Sequence, residues 1–133
     1  MSMDRHGERG AAAVEFALVL PVLVVLLFGI IEFGFILYSK EVLTNASREG
    51  TRAGIVQAVP KPTVGQIQGV VTNYISNTGV LGTWTTTVTG AGGAFGANLT
   101  VTVTLPYNYL VLPNFTTLTG PLTLTATTVM RHE

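Results

Sequence analysis

The pattern of apolar and polar positions divides the 133 residues into a long apolar N-terminal segment and a C-terminal part with short alternating runs. The segment reads "ERGAAAVEFALVLPVLVVLLFGIIEFGF", residues 8–35, and its apolar character resumes after Glu32 as far as Tyr38. About 20 apolar residues cross a bilayer core of ~30 Å. We therefore expect a transmembrane helix over residues 11–38, because the rest of the chain is too short to cover it on all sides. A cleaved signal peptide has a shorter apolar core and a small-x-small cleavage site, which is not found after this segment.

Helical spacing continues beyond the apolar run, so residues 39–59 are expected to extend the same helix to about Ala58. Pro60 and Pro62 then end it, because proline cannot continue a helical hydrogen-bond ladder. Small residues on one i+4 series would allow close approach of another helix or sheet. The approaching surface is either the chain's own outer domain or a neighbouring subunit. The small residues of this series are Gly34, Ala46, Gly50, Gly54 and Ala58.

Residues 60–133 predict a small outer domain. Thr63 and Gln66 form a capping-box pattern that opens an amphipathic helix to about Asn77, with Gly79 as its stop. Alternating apolar and threonine positions then predict three strands, over residues 83–89, 99–105 and 122–130. A glycine-rich stretch, "GAGGAFG", joins the first two strands, and residues 106–121 form a longer excursion. Apolar and aromatic side chains of that excursion are expected to cover the sheet: Tyr107, Tyr109, Leu110, Leu112 and Phe115.

These elements together predict an α+β fold. It contains a long N-terminal helix, a short second helix and a small antiparallel three-stranded β-meander that packs on the long helix. The predicted segments are a leader over residues 1–10, the transmembrane helix over 11–38, its extension over 39–59 and the outer domain over 60–133.

Charge and reactive groups narrow the classes of function. Only 11% of the residues are charged and the formal net charge is zero, which argues against a nucleic-acid partner. Residues 62–130 contain no Asp, Glu, Lys or Arg, and the chain has no cysteine. His132 beside Glu133 could bind a metal, but we expect a frayed chain end there instead. Without paired carboxylates or an internal histidine we expect no enzyme activity, no metal and no cofactor.

The carboxylate of Glu15 lies at the start of the apolar run. A charge inside hydrocarbon is unfavourable, so this position indicates a specific role. Gly10 is followed by Ala11, three further residues and the pair Glu15-Phe16. This spacing resembles the processing site of type IV pilins and pseudopilins. The resemblance implies that a prepilin peptidase cuts between Gly10 and Ala11. The new amine of Ala11 would then lie one helical turn from Glu15, or near Glu15 of a neighbouring subunit.

The resemblance extends over residues 9–56 and is to the TadE-like pseudopilins, or minor pilins, of the tight-adherence (Flp/Tad) system. The motifs that carry it are Glu15-Phe16, Pro21, "GIIEFG" at residues 29–34 and "NASREG" at residues 45–50. The ending "LTLTATTVMRHE" is similar to the strand and Met-Arg ending common in that group. The resemblance implies a subunit used in pilus assembly. The alternative is a membrane-anchored assembly or secretion adaptor that never enters the filament.

Several partners and a location follow from the resemblance. The partners are the prepilin peptidase, other pilins or pseudopilins, the inner-membrane assembly platform and the lipid bilayer. The location is the bacterial inner membrane, crossed once, and a surface pilus after assembly. Arg5 and Arg9 favour a cytoplasmic N-terminus and an outer domain outside. Three basic residues beyond the segment oppose that orientation, which therefore rests partly on the resemblance: Lys40, Arg48 and Arg52.

Two residues within the apolar run have more than one interpretation. Pro21 cannot donate a hydrogen bond to the carbonyl of Ala17, so it either bends the helix or allows local unwinding in a filament. If the helix enters hydrocarbon near Ala11, a ~30 Å core at ~1.5 Å per residue ends near Ile31. Glu32 is then either an interfacial charge or a packing residue.

Overall fold

The protein is described by a computed structural model, which covers residues 5–111 and 120–133, with side chains from Arg9 onward. Two helices precede a three-stranded sheet of strand order β1-β2-β3. The elements are α1 (Arg5–Ile55), α2 (Val64–Ser76), β1 (Thr85–Thr89), β2 (Asn98–Tyr107) and β3 (Leu122–Arg131). Both strand pairs are antiparallel. This architecture confirms the predicted α+β class. The predicted covering residues Leu112 and Phe115 lie outside the described residues.

Helix α1 is 51 residues long and runs through Pro21 as one element. It ends at Ile55, three residues before the predicted Ala58. Prolines explain the earlier end. A longer helix would need amide donors at Pro60 and Pro62 for the carbonyls of residues 56 and 58, and proline has no amide hydrogen. The predicted extension over residues 39–59 is thus helical only as far as Ile55.

Helix α2 begins as its sequence predicts. Thr63 is the N-cap, and its backbone amide donates to Gln66 Oε1 at 2.9 Å while Gln66 N donates to Thr63 Oγ1 at 3.4 Å. This reciprocal arrangement satisfies amides that the first helical turn cannot pair. The buried face of α2 consists of Ile67, Val71 and Ile75, and the C-cap is Asn77.

The sheet has one apolar face and one threonine face. On β2, the inward side chains Leu99, Val101, Val103 and Leu105 are completely buried. The opposite face is lined across all three strands by threonines, with Val129 beside Thr100. Alternation of this kind is expected where only one face of a sheet is covered. The threonines of the outward face are Thr85, Thr87, Thr89, Thr100, Thr102, Thr104, Thr123, Thr125 and Thr127.

The core lies between the C-terminal part of α1, α2 and the apolar face of the sheet. Leu43 and Ala46 of α1 are fully buried against residues of α2 and β2. Among the described residues, none of α1 before Ile36 belongs to this core or packs against it. This earlier part of α1 contains a stretch long and apolar enough to cross a membrane, none of which is buried in the described structure. The domain therefore packs on one end of the helix and leaves the other end uncovered.

Candidate functional site

The proposed processing region lies on a continuous helix. Gly10, Ala11, Glu15 and Phe16 all belong to α1, and all four are exposed. A Cβ placed on Gly10 would have no atom within 4 Å. In the structure Gly10 precedes Ala11 within α1, so Ala11 N is a peptide nitrogen. Ala11 and Glu15 are one turn apart on the same helix face, as the i+4 spacing requires.

Glu32 is the most heavily engaged carboxylate in the described part of the chain. Its side chain is 3% exposed. Tyr107 Oη donates to Glu32 Oε1 at 2.7 Å, Leu110 N donates to Oε1 at 3.0 Å, and Val111 N donates to Oε2 at 2.7 Å. Both carboxylate oxygens are thus held by the segment that follows β2. We call this arrangement, Glu32 with Tyr107, Leu110 and Val111, the Glu32 clamp.

Charge explains why the Glu32 clamp has neutral donors. The outer domain offers no cation between residues 62 and 130, so a buried carboxylate must be stabilised by hydroxyl and amide groups. Hydrogen bonds to an ionised acceptor are shorter and stronger than neutral ones. Burial, followed by the hydrogen bond to Glu32 and its charge, raises the pKa of the Tyr107 phenol well above its ordinary range. Tyr107 therefore remains a protonated donor.

An aromatic contact orients the tyrosine of the Glu32 clamp. The rings of Tyr107 and Tyr109 meet edge to face, with centroids 5.7 Å apart and planes at 88°. Such pairs prefer this geometry because the positive ring edge meets the negative ring face. Tyr107 itself is 5% exposed and belongs to the core. Its predicted place in the excursion after the strand is wrong, because Tyr107 is the last residue of β2 and pairs with Leu122. It also makes a polar contact that the sequence did not indicate.

The small-residue series divides into an open part and a packed part. A Cβ on Gly34 would meet nothing within 4 Å. A Cβ on Gly50 would meet Val71 Cγ2 at 2.5 Å, and one on Gly54 would meet Ile67 Cδ1 at 2.6 Å. Ala46 is fully buried in the same core. In the described structure, the close approach at Gly50 and Gly54 is made by α2 and β2 of the same chain, whereas Gly34 faces outward.

Hydroxyl groups fasten the same part of α1 to β3. Ser47 Oγ and Thr128 Oγ1 lie 2.7 Å apart, and Ser47 Oγ also donates to Thr44 O at 2.9 Å. Lys40 Nζ donates to the carbonyl of Thr125 on β3. These contacts satisfy polar groups at an otherwise apolar helix–sheet interface. The "NASREG" motif thus contributes a buried serine and a buried glycine to the attachment of the outer domain.

The C-terminal histidine is a structural residue here, so the expectation of a frayed end is wrong. His132 is 6% exposed, and its Nε2 lies 2.8 Å from Gly90 O. Its backbone also pairs with the loop between β1 and β2: His132 N donates to Ala97 O, and Gly96 N donates to His132 O, both at 2.9 Å. Backbone pairing that continues one residue beyond β3 accounts for this order. Among the described residues, no three His, Cys, Asp or Glu side chains are grouped so as to hold a metal.

The contacts around Glu32 and Ser47 attach the outer domain to α1. Sequence reasoning singled out Glu32 but missed Tyr107, Leu110 and Val111 as its partners. Two of the three donors are backbone amides, which leave no mark in a sequence. The available signal was indirect: an acid within an apolar helix needs donors, and an uncharged domain can offer only neutral ones.

Comparison with known protein families finds a similarity in the N-terminal part of the chain. Residues 10–52 match the family model of the TadE-like proteins. No curated protein matches the chain, and no solved structure does. The matched residues include Gly10, Glu15, Glu32 and the packed glycine Gly50. The TadE-like family is structural and related to pili, and it is not known for enzymatic activity. Over residues 10–52 the chain is accordingly similar to the TadE-like proteins.

Proposed function

We propose that the chain is a membrane-inserted pseudopilin, or minor pilin, that a prepilin peptidase cuts between Gly10 and Ala11. The cut subunit then serves in assembly of a tight-adherence pilus. The observation that carries this proposal is the uncovered apolar surface of α1. Leu18 is 71% exposed and Val22 is 68% exposed, and in the described part of the chain the first contact of the outer domain with α1 is at Glu32.

An apolar surface of this extent needs a cover, because contiguous exposed apolar patches on soluble proteins are small. Lipid covers the helix while the protein is in the membrane. Neighbouring apolar helices cover it in a filament. The same exposed helix therefore serves in the membrane and in the filament. Exchange of lipid for neighbouring helices requires no change in the outer domain.

Glu15 gives the proposed assembly its specificity. A carboxylate near hydrocarbon is unfavourable unless a partner neutralises it. Cutting after Gly10 would create an ammonium group on Ala11, ~6 Å along the axis from Glu15 at ~1.5 Å per residue. The same group on a neighbouring subunit can pair with Glu15 only when the two helices are in register. The proposed partners are thus the peptidase, other pilins, the inner-membrane assembly platform and the bilayer.

The proposed location is the bacterial inner membrane, crossed once, with a cytoplasmic N-terminus and the outer domain on the opposite side. Arg5 and Arg9 support this orientation. A surface pilus is the location after assembly.

The first test is the intact mass of the protein purified from membranes of a strain with an active prepilin peptidase. We expect a chain that begins at Ala11. Gly10→Val should block cutting, because a branched side chain obstructs access to the backbone at the junction. Gly7→Val is the matched control, since it changes a leader glycine outside the spacing and should leave cutting intact.

A native chain that still begins at Met1 would contradict processing and favour the adaptor. Unchanged cutting of Gly10→Val would place the site elsewhere. Sheared filaments then separate a subunit from a helper: mass spectrometry should detect the cut chain in the filament fraction, and its absence there would also favour the adaptor.

A further inference from the structure

Two polar contacts hold loops of the outer domain against α1 near the end of the apolar run. The Glu32 clamp holds residues 107–111. Six residues further along α1, Tyr38 Oη donates to the carbonyl of Thr78 at 2.7 Å. At ~1.5 Å per residue these contacts are ~9 Å apart along the helix axis. The loops after α2 and after β2 are therefore fixed at defined heights on the helix.

The depth of the Glu32 clamp in the bilayer follows from the thickness of the hydrocarbon core. About 20 helical residues cross ~30 Å. A window of that length that begins between Ala11 and Phe16 ends between Ile30 and Phe35. Glu32 thus lies at the boundary between hydrocarbon and headgroups. Because the amide of Leu110 is 3.0 Å from Glu32 Oε1, Leu110 lies at nearly the same depth.

The side chains at this level are apolar and partly uncovered. A cavity of about 240 Å³ separates α1 from the two loops. None of the described side chains that line it is charged. Leu81 is 66% exposed, Leu110 is 44% exposed and Phe35 is 43% exposed. The residues that form its apolar and aromatic rim are Phe35, Tyr38, Val80, Leu81 and Leu110.

We propose that this rim, and Leu81 and Leu110 in particular, is a lipid-contacting surface, so that the outer domain rests in the interfacial layer of the bilayer. The inference rests on the membrane insertion proposed above. Three features favour lipid as the occupant. The rim is continuous along α1 with the uncovered apolar surface, it contains no charge to desolvate, and Tyr38 belongs to the residue types that anchor proteins at membrane interfaces.

The absence of cysteine from the chain permits a direct test with single nitroxide labels. The variants Leu110→Cys and Leu81→Cys are made in the full chain, labelled, and placed in phosphatidylcholine vesicles at low protein-to-lipid ratio. Power-saturation spectroscopy then measures accessibility to oxygen, which concentrates in lipid, and to a water-soluble nickel chelate. Val25→Cys marks the middle of the apolar run, and Thr87→Cys marks the exposed outward face of β1.

We expect the ratio of oxygen to nickel accessibility at Leu110 and Leu81 to exceed that at Thr87 several-fold, and to lie below that at Val25. A ratio equal to that at Thr87 at both positions would overturn the proposal. Low accessibility to both reagents would mean that protein, such as a second copy, covers the rim, and would also overturn it. If the Val25 label is open to nickel, membrane insertion itself fails. A Val25 label in lipid with Leu110 and Leu81 in water rejects only the present inference.

Discussion

At the scale of single residues, Glu32 shows how neutral donors can hold an acid in an apolar helix. Tyr107 and two backbone amides donate hydrogen bonds to its carboxylate within 3.0 Å. The sequence indicated that Glu32 is unusual and left two interpretations open. It could not choose between them, because the donors are neutral and lie more than 70 residues away in the chain.

Replacement of Tyr107 by phenylalanine tests the Glu32 clamp. Loss of a hydrogen bond to a charged group should lower the free energy of unfolding by about 1.5–3 kcal/mol. Urea unfolding in detergent micelles, followed through the fluorescence of Trp84, measures the change. Tyr74→Phe is the matched control, because Tyr74 is 36% exposed and should alter stability by less than about 0.5 kcal/mol. Equal effects of the two substitutions would contradict the role given to Tyr107.

The same phenol predicts a loss of stability at alkaline pH. Burial and Glu32 raise the pKa of Tyr107 in the folded state, whereas an unfolded tyrosine ionises near its ordinary value of about 10. Above that pH the unfolded state releases a proton that the folded state retains, so the free energy of unfolding falls as pH rises. The decline between about pH 10 and 11 should be shallower in Tyr107→Phe. Parallel pH profiles of the two proteins would refute this linkage.

At the scale of elements, the helical and strand periodicities were sufficient to predict the order and type of every described element. Alternation placed Leu99, Val101 and Val103 on the buried face of β2 correctly. The i+4 series of small residues was a single pattern in the sequence, yet the structure covers Gly50 and Gly54 and leaves Gly34 open. Periodicity identifies a face, but it does not say how far along the helix the partner reaches.

The packed glycines predict an asymmetric response to alanine. Gly54→Ala should lower the free energy of unfolding by about 1–3 kcal/mol, because the added methyl group would collide with Ile67 and Leu99. Gly69→Ala, on the exposed face of α2 with nothing within 4 Å, should raise it by about 0.5–1 kcal/mol. Urea unfolding of both variants provides the measurement. Stabilisation by both substitutions would show that the α1–α2 approach is not tight.

At the scale of the whole molecule, the chain combines two parts. The outer domain buries its apolar side chains in its own core, whereas the N-terminal part of α1 leaves its apolar side chains exposed. The sequence predicted this division, because an apolar run of such length cannot be buried by the small remainder of the chain. It did not predict how the parts are joined. The joining contacts depend on backbone amides, hydroxyl pairs such as Ser47 with Thr128, and the depth at which the domain meets the helix.

Removal of the carboxylate at position 15 should separate insertion from assembly. We expect Glu15→Ala to reach the membrane fraction normally, because α1 keeps its apolar surface. Its recovery in sheared pili should fall at least about tenfold, which corresponds to a loss of ~1.4 kcal/mol in the free energy of association. Leu18→Ala is the control for a neighbouring exposed position. Immunoblots of membrane and sheared fractions provide both measurements. Normal piliation by Glu15→Ala would count against charge pairing at that site.

The unbroken course of α1 from Arg5 to Ile55 has a rotational consequence. Each residue turns a helix by ~100° and advances it by ~1.5 Å, and the outer domain is fixed directly to this axis. The number of residues between Glu15 and Glu32 therefore sets the angle of the threonine face about the helix axis, relative to the N-terminal end. One inserted residue would swing that face by ~100°, whereas seven would return it to within ~20° and lift it by ~10 Å.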